Sequence, residues 1–196
     1  MNYRANIQAL NSSNITNILS VGTVGSMKKT IKPGDFVIPH DFIDFSKSRP
    51  LTFFDDNRIH VDMTDPFCPA LRNLIINISN NIENLNFHDK GIYISTEGPR
   101  LESVSEINFF SEYADIVGMT LIPEIVLARE RGMCYGSFCI VCNMAAGFQN
   151  QLNADEIIEI YNEKEKTIID LLKSVIESIN KKNNCYCFQD LSKALL

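Results

Sequence analysis

Apolar, strand-like runs that end in polar turns are the feature that most constrains the fold of this chain. Three such turns lie between Ser95 and Gly147, and they read Ser-Thr-Glu-Gly-Pro-Arg-Leu-Glu, Gly-Met-Thr-Leu-Ile-Pro-Glu and Cys-Asn-Met-Ala-Ala-Gly. Segments with helical spacing lie between the runs, and strands that alternate with helices are typical of an α/β domain. Because ligands bind outside the carboxyl ends of strands in such sheets, the three turns predict one shared site.

The same alternation extends along the chain and predicts an α/β fold, with helices packed on a largely parallel or mixed sheet. Asn153, with Glu156 three residues later, predicts a capping box at the start of a long amphipathic helix that ends near Lys181 and Lys182. We expect strands at 17–24, 36–45, 91–96, 115–119 and 133–142, and further helices at 66–82, 104–113 and 124–131, with Pro123 in the first turn of the last.

Length and charge narrow the class of protein. The 196 residues, 45% of them hydrophobic, suffice for one sizeable core, so we expect a single domain spanning 1–196. A net charge of -6 with scattered Lys and Arg argues against nucleic acid or an anionic membrane as a partner. Since the sequence also has no membrane-spanning run and no signal-peptide pattern, we expect a cytoplasmic protein.

The six cysteines fall mostly within apolar segments, which predicts reduced and buried thiols. Cys139 and Cys142 have the spacing of a metal or redox pair, but residues three apart in a strand point to opposite faces. Cys185 and Cys187 are close enough for a strained small-loop disulfide or are surface thiols. A zinc site there would need two more ligands, and none is nearby in the sequence, so we expect no metal.

Gly22-Thr-Val-Gly-Ser26 predicts a strand that enters a tight loop. Glycines would let backbone N–H groups in this loop approach an anion. The glycine spacing fits neither the Walker motif nor G-x-G-x-x-G, which argues against a nucleoside triphosphate or a dinucleotide. A phosphate site and a plain turn both stay open.

Glu102 and Asn143 are polar residues placed just past buried strands, where an unpaired polar group is costly. Each has a structural interpretation, since Glu102 could cap the helix that begins near Ser103 and Asn143 could hold its own loop. Together they indicate a binding site, because a carboxylate and an amide can bracket the edge of a heterocycle. Met119 and Thr120 add an apolar surface for a sugar and a hydroxyl for an anion.

A series of collinear motifs resembles the trimeric purine nucleoside phosphorylase and methylthioadenosine phosphorylase family over essentially the whole chain. The resemblance implies phosphorolysis in purine salvage, in which inorganic phosphate attacks the anomeric carbon of a purine nucleoside. No cofactor, metal or protein nucleophile is implied. The motifs are Tyr3-x-Ala-Asn-Ile7, Val24-Gly-Ser26 with Lys32-Pro-Gly-Asp35, Arg49-Pro50 with Phe53-Phe54, His60 with Pro66-Phe-Cys-Pro69, Thr96-Glu-Gly-Pro-Arg100, Gly118-Met-Thr120 with Pro123-Glu124, and Asn143.

Carried over motif by motif, the resemblance implies roles for individual residues. Thr23, with Gly22 beside it, and Thr120 would contact phosphate. Met119 would contact the ribose, and Leu101 the base or sugar face. His60 would reach the site of a neighbouring subunit, which makes a homotrimer part of the expected active site.

Substrate choice follows from further positions of the resemblance. Members that cleave 6-aminopurines resemble one another in having Asp at the position of Asn143 and again at that of Ala145. Here Asn143 can bond N7 and a 6-oxo group while Glu102 accepts the N1 proton, which favours inosine and guanosine. Ala154 and Ile157 stand where a 5′-hydroxyl would need a polar contact, so methylthioinosine is also expected, with methylthioadenosine as the alternative.

One departure from the family is expected to affect activity. Family members carry, before the motif that resembles Met1-Asn-Tyr-Arg, a strand with a phosphate-binding loop and a second loop with Arg and His. Without these groups the attacking phosphate would lose cationic and hydrogen-bonding anchors. Two expectations stay open: an enzyme that is active alone or with a separate N-terminal fragment, and a remnant that only binds purine or joins a trimer.

Overall fold

The structure is a computed structural model that describes residues 1–55, 59–151, 153–179 and 185–188. Its elements alternate between helices and strands, as the sequence predicts. In chain order they are α1 (Tyr3–Ser12), β1 (Asn17–Ser26), β2 (Phe36–Val37), β3 (Asp41–Phe45), α2 (Pro69–Ser79), β4 (Phe87–His88), β5 (Ile92–Thr96), α3 (Val104–Ser111), β6 (Ile116–Gly118), α4 (Leu121–Glu130), β7 (Cys134–Met144) and α5 (Ala154–Ser178).

The strands form one mixed sheet in the order β3-β5-β6-β1-β7-β2-β4, which confirms the α/β fold class. β1 and β7 are parallel and form its longest ladder, which starts with Asn17 opposite Cys134. β7 is buried at every position except Met144, in agreement with its nearly unbroken apolar sequence. β6 is antiparallel to β1, and β2 is antiparallel to β7.

The sheet curls until its two ends meet. β2 and β3 lie five strands apart in the order, which is about 24 Å in a flat sheet. Only residues 38–40 join them, and so short a connection spans at most about 14 Å. Backbone hydrogen bonds from Ile38 to His88 (2.9 Å) and from His40 to Gly91 (3.1 Å) continue the pairing across the bend. β2 and β3 therefore form one bent segment that pairs with β4 and β5 and closes the sheet.

Two apolar cores lie on the two faces of the sheet. α1 and α4 cover one face, where Ile7 and Ile125 pack against Cys139 and other residues of β7. α2 and α5 cover the other face, where Ile75 and Leu171 join a cluster that contains Cys142. The side chains of Cys139 and Cys142 thus point into different cores, as expected for residues three apart in a strand.

Several boundaries differ from the sequence-based prediction. The predicted strand at 36–45 is divided at Pro39, whose nitrogen cannot donate a hydrogen bond to a ladder. α1, capped by the Asn2 side chain at 3.0 Å from the Ala5 nitrogen, was not predicted, and neither was β4. Helix α5 ends at Ser178, and Lys181 and Lys182 lie outside the described residues.

The start of α5 corrects one prediction in detail. Asn153 does cap the helix, because its Oδ1 accepts a hydrogen bond from the Asp155 nitrogen at 3.0 Å. The predicted capping box is absent, since the Glu156 carboxylate instead accepts from Gln149 Nε2 at 3.0 Å and ties the loop after β7 to the helix. Among the described residues, no helix combines the length and the apolar character needed to cross a bilayer.

Candidate functional site

A pocket of about 220 Å³ opens where β1 and β6 separate. The two strands pair only at Gly25–Val117 and Ser26–Ile116, and the chain then turns away through Met119 into α4. The end of β7 and the first turns of α5 form the other walls. The lining residues are Thr23, Val24, Gly25, Leu101, Glu102, Val117, Gly118, Met119, Thr120, Cys142, Asn143, Ala145, Ala146 and Ile157.

Most of the residues predicted from sequence for the site meet in this pocket. They arrive from β1, from the β5–α3 and β6–α4 connections, from the end of β7 and from α5. The position is not a row of carboxyl ends at one edge of the sheet, because β1 and β7 run opposite to β5 and β6. The predicted residues that line the pocket are Thr23, Leu101, Glu102, Met119, Thr120, Asn143, Ala145 and Ile157.

The Glu102 side chain lines the pocket and does not cap helix α3, which is capped by other residues. Ser103 Oγ accepts a hydrogen bond from the Glu106 nitrogen, and the Glu106 carboxylate accepts from the Ser103 nitrogen at 2.8 Å. This capping box removes the alternative that Glu102 caps α3. The Glu102 carboxylate instead accepts a hydrogen bond from Thr96 Oγ1 at 2.6 Å, which orients it at the end of β5.

The Asn143 side chain is nearly buried, with 8% of its surface exposed, and lies at the end of β7. Its Nδ2 donates one hydrogen bond to the Met144 carbonyl at 2.9 Å, so it does hold its own loop. An amide nitrogen has two hydrogens and Oδ1 is an acceptor, so donor and acceptor capacity remains for a ligand. A Cβ at Gly25 would lie 3.2 Å from Nδ2, so the glycine leaves room for this amide.

The connection from β6 to α4 is held in place by Tyr93. The Tyr93 hydroxyl accepts a hydrogen bond from the Thr120 nitrogen at 3.1 Å. Gly118 allows this contact, because a Cβ there would lie 2.5 Å from the same hydroxyl oxygen. Burial is the main reason that the pKa of Tyr93 is raised, so the hydroxyl stays protonated. Thr120 precedes α4 without capping it through its side chain.

Arg49 links the two connections that carry Glu102 and Met119. Its guanidinium donates to the carbonyls of Thr96 (2.9 Å) and Glu97 (2.8 Å) on one side, and to those of Met119 and Ile122 on the other, both at 2.5 Å. The side chain is only 9% exposed. The Arg49 Nε also lies 3.8 Å from the Glu97 carboxylate. The sequence suggested this residue only as part of a motif, because its hydrogen-bond acceptors are backbone carbonyls, which every residue has.

Three predicted residues lie outside the pocket lining. The predicted loop at Gly22 is wrong, because β1 continues to Ser26 and pairs there with β7, and Gly22 is buried beneath Cys139. Ala154 is exposed at the start of α5. His60 is exposed and does not line the pocket of its own chain, so its contact with a neighbouring subunit stays a prediction.

Gly25 and Cys142 line the pocket but were missed in the sequence. Cys142 belongs to the most apolar strand, and burial raises the pKa of its thiol to about 11, so it is a neutral wall. In the sequence, Gly25 appeared only as part of a predicted turn and of the motif Val24-Gly-Ser26, without a role of its own. Its role depends on the register shift between Val24 and Gly25 along β7, which the sequence does not show.

A larger cavity of about 570 Å³ adjoins the pocket, and Glu102 lines both. Its apolar side is formed by Phe45, Phe109 and Phe110, and its polar side includes Arg100 and Glu97. Together the two cavities fall in the size range of small-molecule sites. Among the residues that the structure describes, those lining the smaller pocket include no Lys, Arg or His.

The environment of the C-terminal cysteines corrects the prediction of surface thiols without nearby ligands. Cys187 is buried and Cys185 is half-buried. Their sulfurs meet those of Cys68 and Cys134, and all four lie within 4.8 Å of one another. The sequence could not show this, because Cys134 and Cys185 are 51 residues apart and meet only through the packing of α5.

The class of protein to which this fold and pocket belong follows from a family match. The family described as the phosphorylase superfamily matches residues 1–177. The chain belongs to this superfamily. It is 44% identical over 189 residues to a probable S-methyl-5'-thioinosine phosphorylase of Methanothermobacter thermautotrophicus, a match that covers 95% of this chain and 65% of that protein.

Two other similar proteins are also phosphorylases, but their names give different substrates. A probable 6-oxopurine nucleoside phosphorylase of Dictyoglomus turgidum is 44% identical over 191 residues, covering 95% of this chain and 72% of that protein. The crystal structure of a methylthioadenosine phosphorylase from an antarctic soil metagenomic library matches with a TM-score of 0.93 and 34% identity, covering 99% of this chain and 70% of that one. This chain thus spans less than three quarters of the length of each.

Proposed function

We propose that the pocket is the purine and ribose part of a phosphorolysis site for 6-oxopurine nucleosides. The substrates would be inosine, guanosine or 5'-methylthioinosine, and the products a free purine and ribose or methylthioribose 1-phosphate. The observation that supports this most is that Glu102 and Asn143 line one pocket with apolar walls. The names of the two relatives, a probable S-methyl-5'-thioinosine phosphorylase and a probable 6-oxopurine nucleoside phosphorylase, agree with it.

Recognition of the base would rest on complementary donors and acceptors. Glu102, held by Thr96, accepts the N1 proton of a 6-oxopurine, and the remaining Asn143 Nδ2 hydrogen donates to the 6-oxo group. Adenine has no N1 proton and carries an amino group at position 6, so it would leave buried polar groups unpaired. Such mismatches give strong discrimination between substrates.

The reaction would proceed by transition-state stabilisation without a protein nucleophile. An oxygen of hydrogen phosphate bonds to C1′ as the C1′–N9 bond breaks, and the electron pair of that bond moves to the purine. The proton that hydrogen phosphate loses is taken up, through solvent, at N7 of the purine. Asn143 Oδ1 then accepts a hydrogen bond from a proton on N7, and this contact is strongest when charge has developed on the base. Met119 and Leu101 would cover the sugar, and the hydroxyls of Thr23 and Thr120 would contact phosphate.

The 5′ end of the nucleoside would meet apolar surface. Ile157 of α5 lines the pocket and offers no hydrogen bond to a 5′-hydroxyl. A methylthio group would bury its apolar surface there, which favours methylthioinosine over inosine. A 5'-methylthioadenosine phosphorylase is the alternative, in line with the name of the solved structure.

A second candidate is a protein that binds purine without cleaving nucleosides. The pocket lining contains Glu102 as a charged group and, within the described residues, no cation to anchor phosphate. Catalysis could then require a separate N-terminal fragment that supplies Arg and His. The two candidates differ in turnover but share the base site, so they can be tested together.

The test is an assay of the purified 196-residue chain with inosine, methylthioinosine, adenosine and methylthioadenosine, with and without phosphate. We expect phosphate-dependent release of hypoxanthine, measured by chromatography, and preferred cleavage of methylthioinosine. Tight binding of hypoxanthine by calorimetry without turnover would favour the second candidate. Faster cleavage of methylthioadenosine than of methylthioinosine would contradict the assignment of Glu102 and Asn143.

A homotrimer is proposed as the assembled form. Exposed aromatic side chains at Phe45, Phe109 and Tyr113 lie next to the larger cavity, and contiguous exposed apolar surface is typical of interfaces. In such an assembly the exposed His60 could approach a neighbouring pocket. A cytoplasmic location stays a prediction from the sequence.

A further inference from the structure

We propose that Cys68, Cys134, Cys185 and Cys187 bind one Zn²⁺ ion in a closed structural site. The four sulfurs come from three separate parts of the chain. Cys68 directly precedes α2, Cys134 is the first residue of β7, and Cys185 and Cys187 lie in the segment that follows α5. All four Sγ atoms lie within 4.8 Å of one another.

The spacing of the sulfurs fits a tetrahedral ion. With sulfurs about 2.3 Å from zinc, a regular tetrahedron places them about 3.8 Å apart. The Cys134 and Cys185 sulfurs are 3.4 Å apart, and no two of the four sulfurs are more than 4.8 Å apart, which is compatible with the required spacing. A disulfide needs about 2.05 Å between two sulfurs, so the Cys134–Cys185 pair is not bonded.

The surroundings exclude water from the sulfurs, and the start of α2 favours a thiolate at Cys68. Cys68, Cys134 and Cys187 are almost completely buried, and Leu71 packs among them. Cys68 occupies the N-cap position of α2, where unpaired backbone N–H groups stabilise a thiolate. Four clustered thiolates would repel one another without a cation, whereas a divalent soft metal compensates their charge.

The remaining two cysteines show that clustering is specific to these four. Cys139 and Cys142 are buried singly in the two separate cores on either face of the sheet. The C-terminal pair, by contrast, is brought back across the chain to meet Cys68 and Cys134. Tyr186, which lies between the two, donates a hydrogen bond from its hydroxyl to Asp65, on the segment that leads to Cys68.

The metal would stabilise the fold and would take no part in the reaction. Four protein ligands leave no open position for water or substrate, as in structural zinc sites. Cys134 begins β7 and Asn143 lies near its other end, so about 30 Å of strand separates the cluster from the pocket. Zinc would fasten the segment after α5 to the starts of α2 and β7, and its binding energy would add to folding energy.

The test measures metal content of the full chain produced without a metal-binding tag in zinc-supplemented medium. We expect about one zinc per chain, falling below about 0.1 in Cys187→Ser and staying near one in the matched control Cys139→Ala. Chelation should lower the melting temperature of the wild type. If Cys187→Ser does not fold, Co²⁺ added to the metal-free wild type decides, because tetrahedral thiolate ligation gives intense charge-transfer and d–d bands.

Two results would overturn the proposal. One is a wild type that, produced in zinc-supplemented medium, holds less than about 0.1 zinc per chain and gives no cobalt–thiolate bands. The other is a disulfide between any two of the four cysteines, found by mass spectrometry of protein alkylated under non-reducing conditions. Because these readouts do not depend on turnover, their failure would leave the proposed phosphorolysis untouched.

Discussion

The amide group of Asn143 offers the pocket both a hydrogen-bond donor and a hydrogen-bond acceptor. Replacing it by Asp removes the hydrogen that would be donated to a 6-oxo group and adds a carboxylate that accepts from a 6-amino group. We expect Asn143→Asp to lower kcat/KM for inosine by about 100-fold and to raise the adenosine-to-inosine ratio. Steady-state rates with both nucleosides measure it, in the presence of any fragment that turnover requires.

The control for this exchange is Asn108→Asp, which makes the same chemical change at an exposed position of α3. It should leave the ratio unchanged. An unchanged ratio in Asn143→Asp as well would remove Asn143 from base recognition.

Gly118 is a second residue at which a single added atom, the Cβ of alanine, should change stability. An alanine Cβ would lie 2.5 Å from Tyr93 Oη and 2.8 Å from Cε2, so Tyr93 or the end of β6 must shift. We expect Gly118→Ala to lower the free energy of unfolding by about 1–3 kcal/mol, measured by urea denaturation. Its effect on nucleoside KM should be an increase, because Met119 and Thr120 follow directly.

Gly22→Ala is the matched control for stability, since the nearest atom to its new Cβ, Cys139 Sγ, would be at an ordinary 3.4 Å. The double variant Gly118→Ala/Tyr93→Phe should recover part of the lost stability. No recovery and no difference between the two glycine variants would contradict the steric explanation.

At the scale of elements, Arg49 joins the β5–α3 connection to the β6–α4 connection. Lysine cannot reach four carbonyls in two directions, so Arg49→Lys should lower the free energy of unfolding by about 3 kcal/mol. Chemical denaturation measures the change. Arg100→Lys, on an exposed side chain paired with Glu106, should lower the free energy of unfolding far less. Equal losses would mean that Arg49 does not hold the connections.

The capping box of α3 makes one part of the stability depend on pH. The Arg100 guanidinium, helped by the Ser103 N–H, lowers the pKa of Glu106 from 4.5 to about 2. Because the folded pKa is the lower one, this contribution is present above about pH 4.5 and fades as pH falls toward 2. Differential scanning fluorimetry of Glu106→Gln should therefore show its largest deficit in melting temperature at pH 6 and a smaller one at pH 3.

Ser103→Ala provides the comparison, because its hydroxyl cap does not titrate in this range and its deficit should vary little with pH. A deficit of Glu106→Gln that grows on acidification would refute the assigned direction of the pKa.

How far the sequence predicted these elements depends on what fixes each one. Long apolar runs such as β7 and the spaced apolar residues of α5 were predicted, because burial determines them. The division of 36–45 at Pro39 and the extension of β1 through Gly22 were not, since both depend on which strands pair across the sheet. Glu102 and Asn143 were found as polar groups after buried strands, but the hydrogen bonds of Arg49 go to backbone carbonyls, which gave no comparable signal.

At the scale of the whole molecule, the exposed aromatic cluster next to the larger cavity is the surface most suited to self-association. Sedimentation velocity of the wild type should show a trimer. Phe109→Glu places a charge where the ring is 55% exposed, and should shift the distribution toward monomer. Ile176→Glu, at a 60% exposed apolar position of α5, is the control and should leave the trimer intact. A monomeric wild type would contradict the proposed assembly.

The bend at residues 38–40 has a consequence for how the molecule opens. Strands at the two ends of a sheet ordinarily fray independently, but here β2 with β3 and β4 with β5 are two continuous segments that pair along the bend. Separating them at one end of the sheet loosens the other. In native-state hydrogen exchange, the amides of Val37 and Ile94 should therefore exchange through a shared opening, with a common free energy and a common dependence on denaturant.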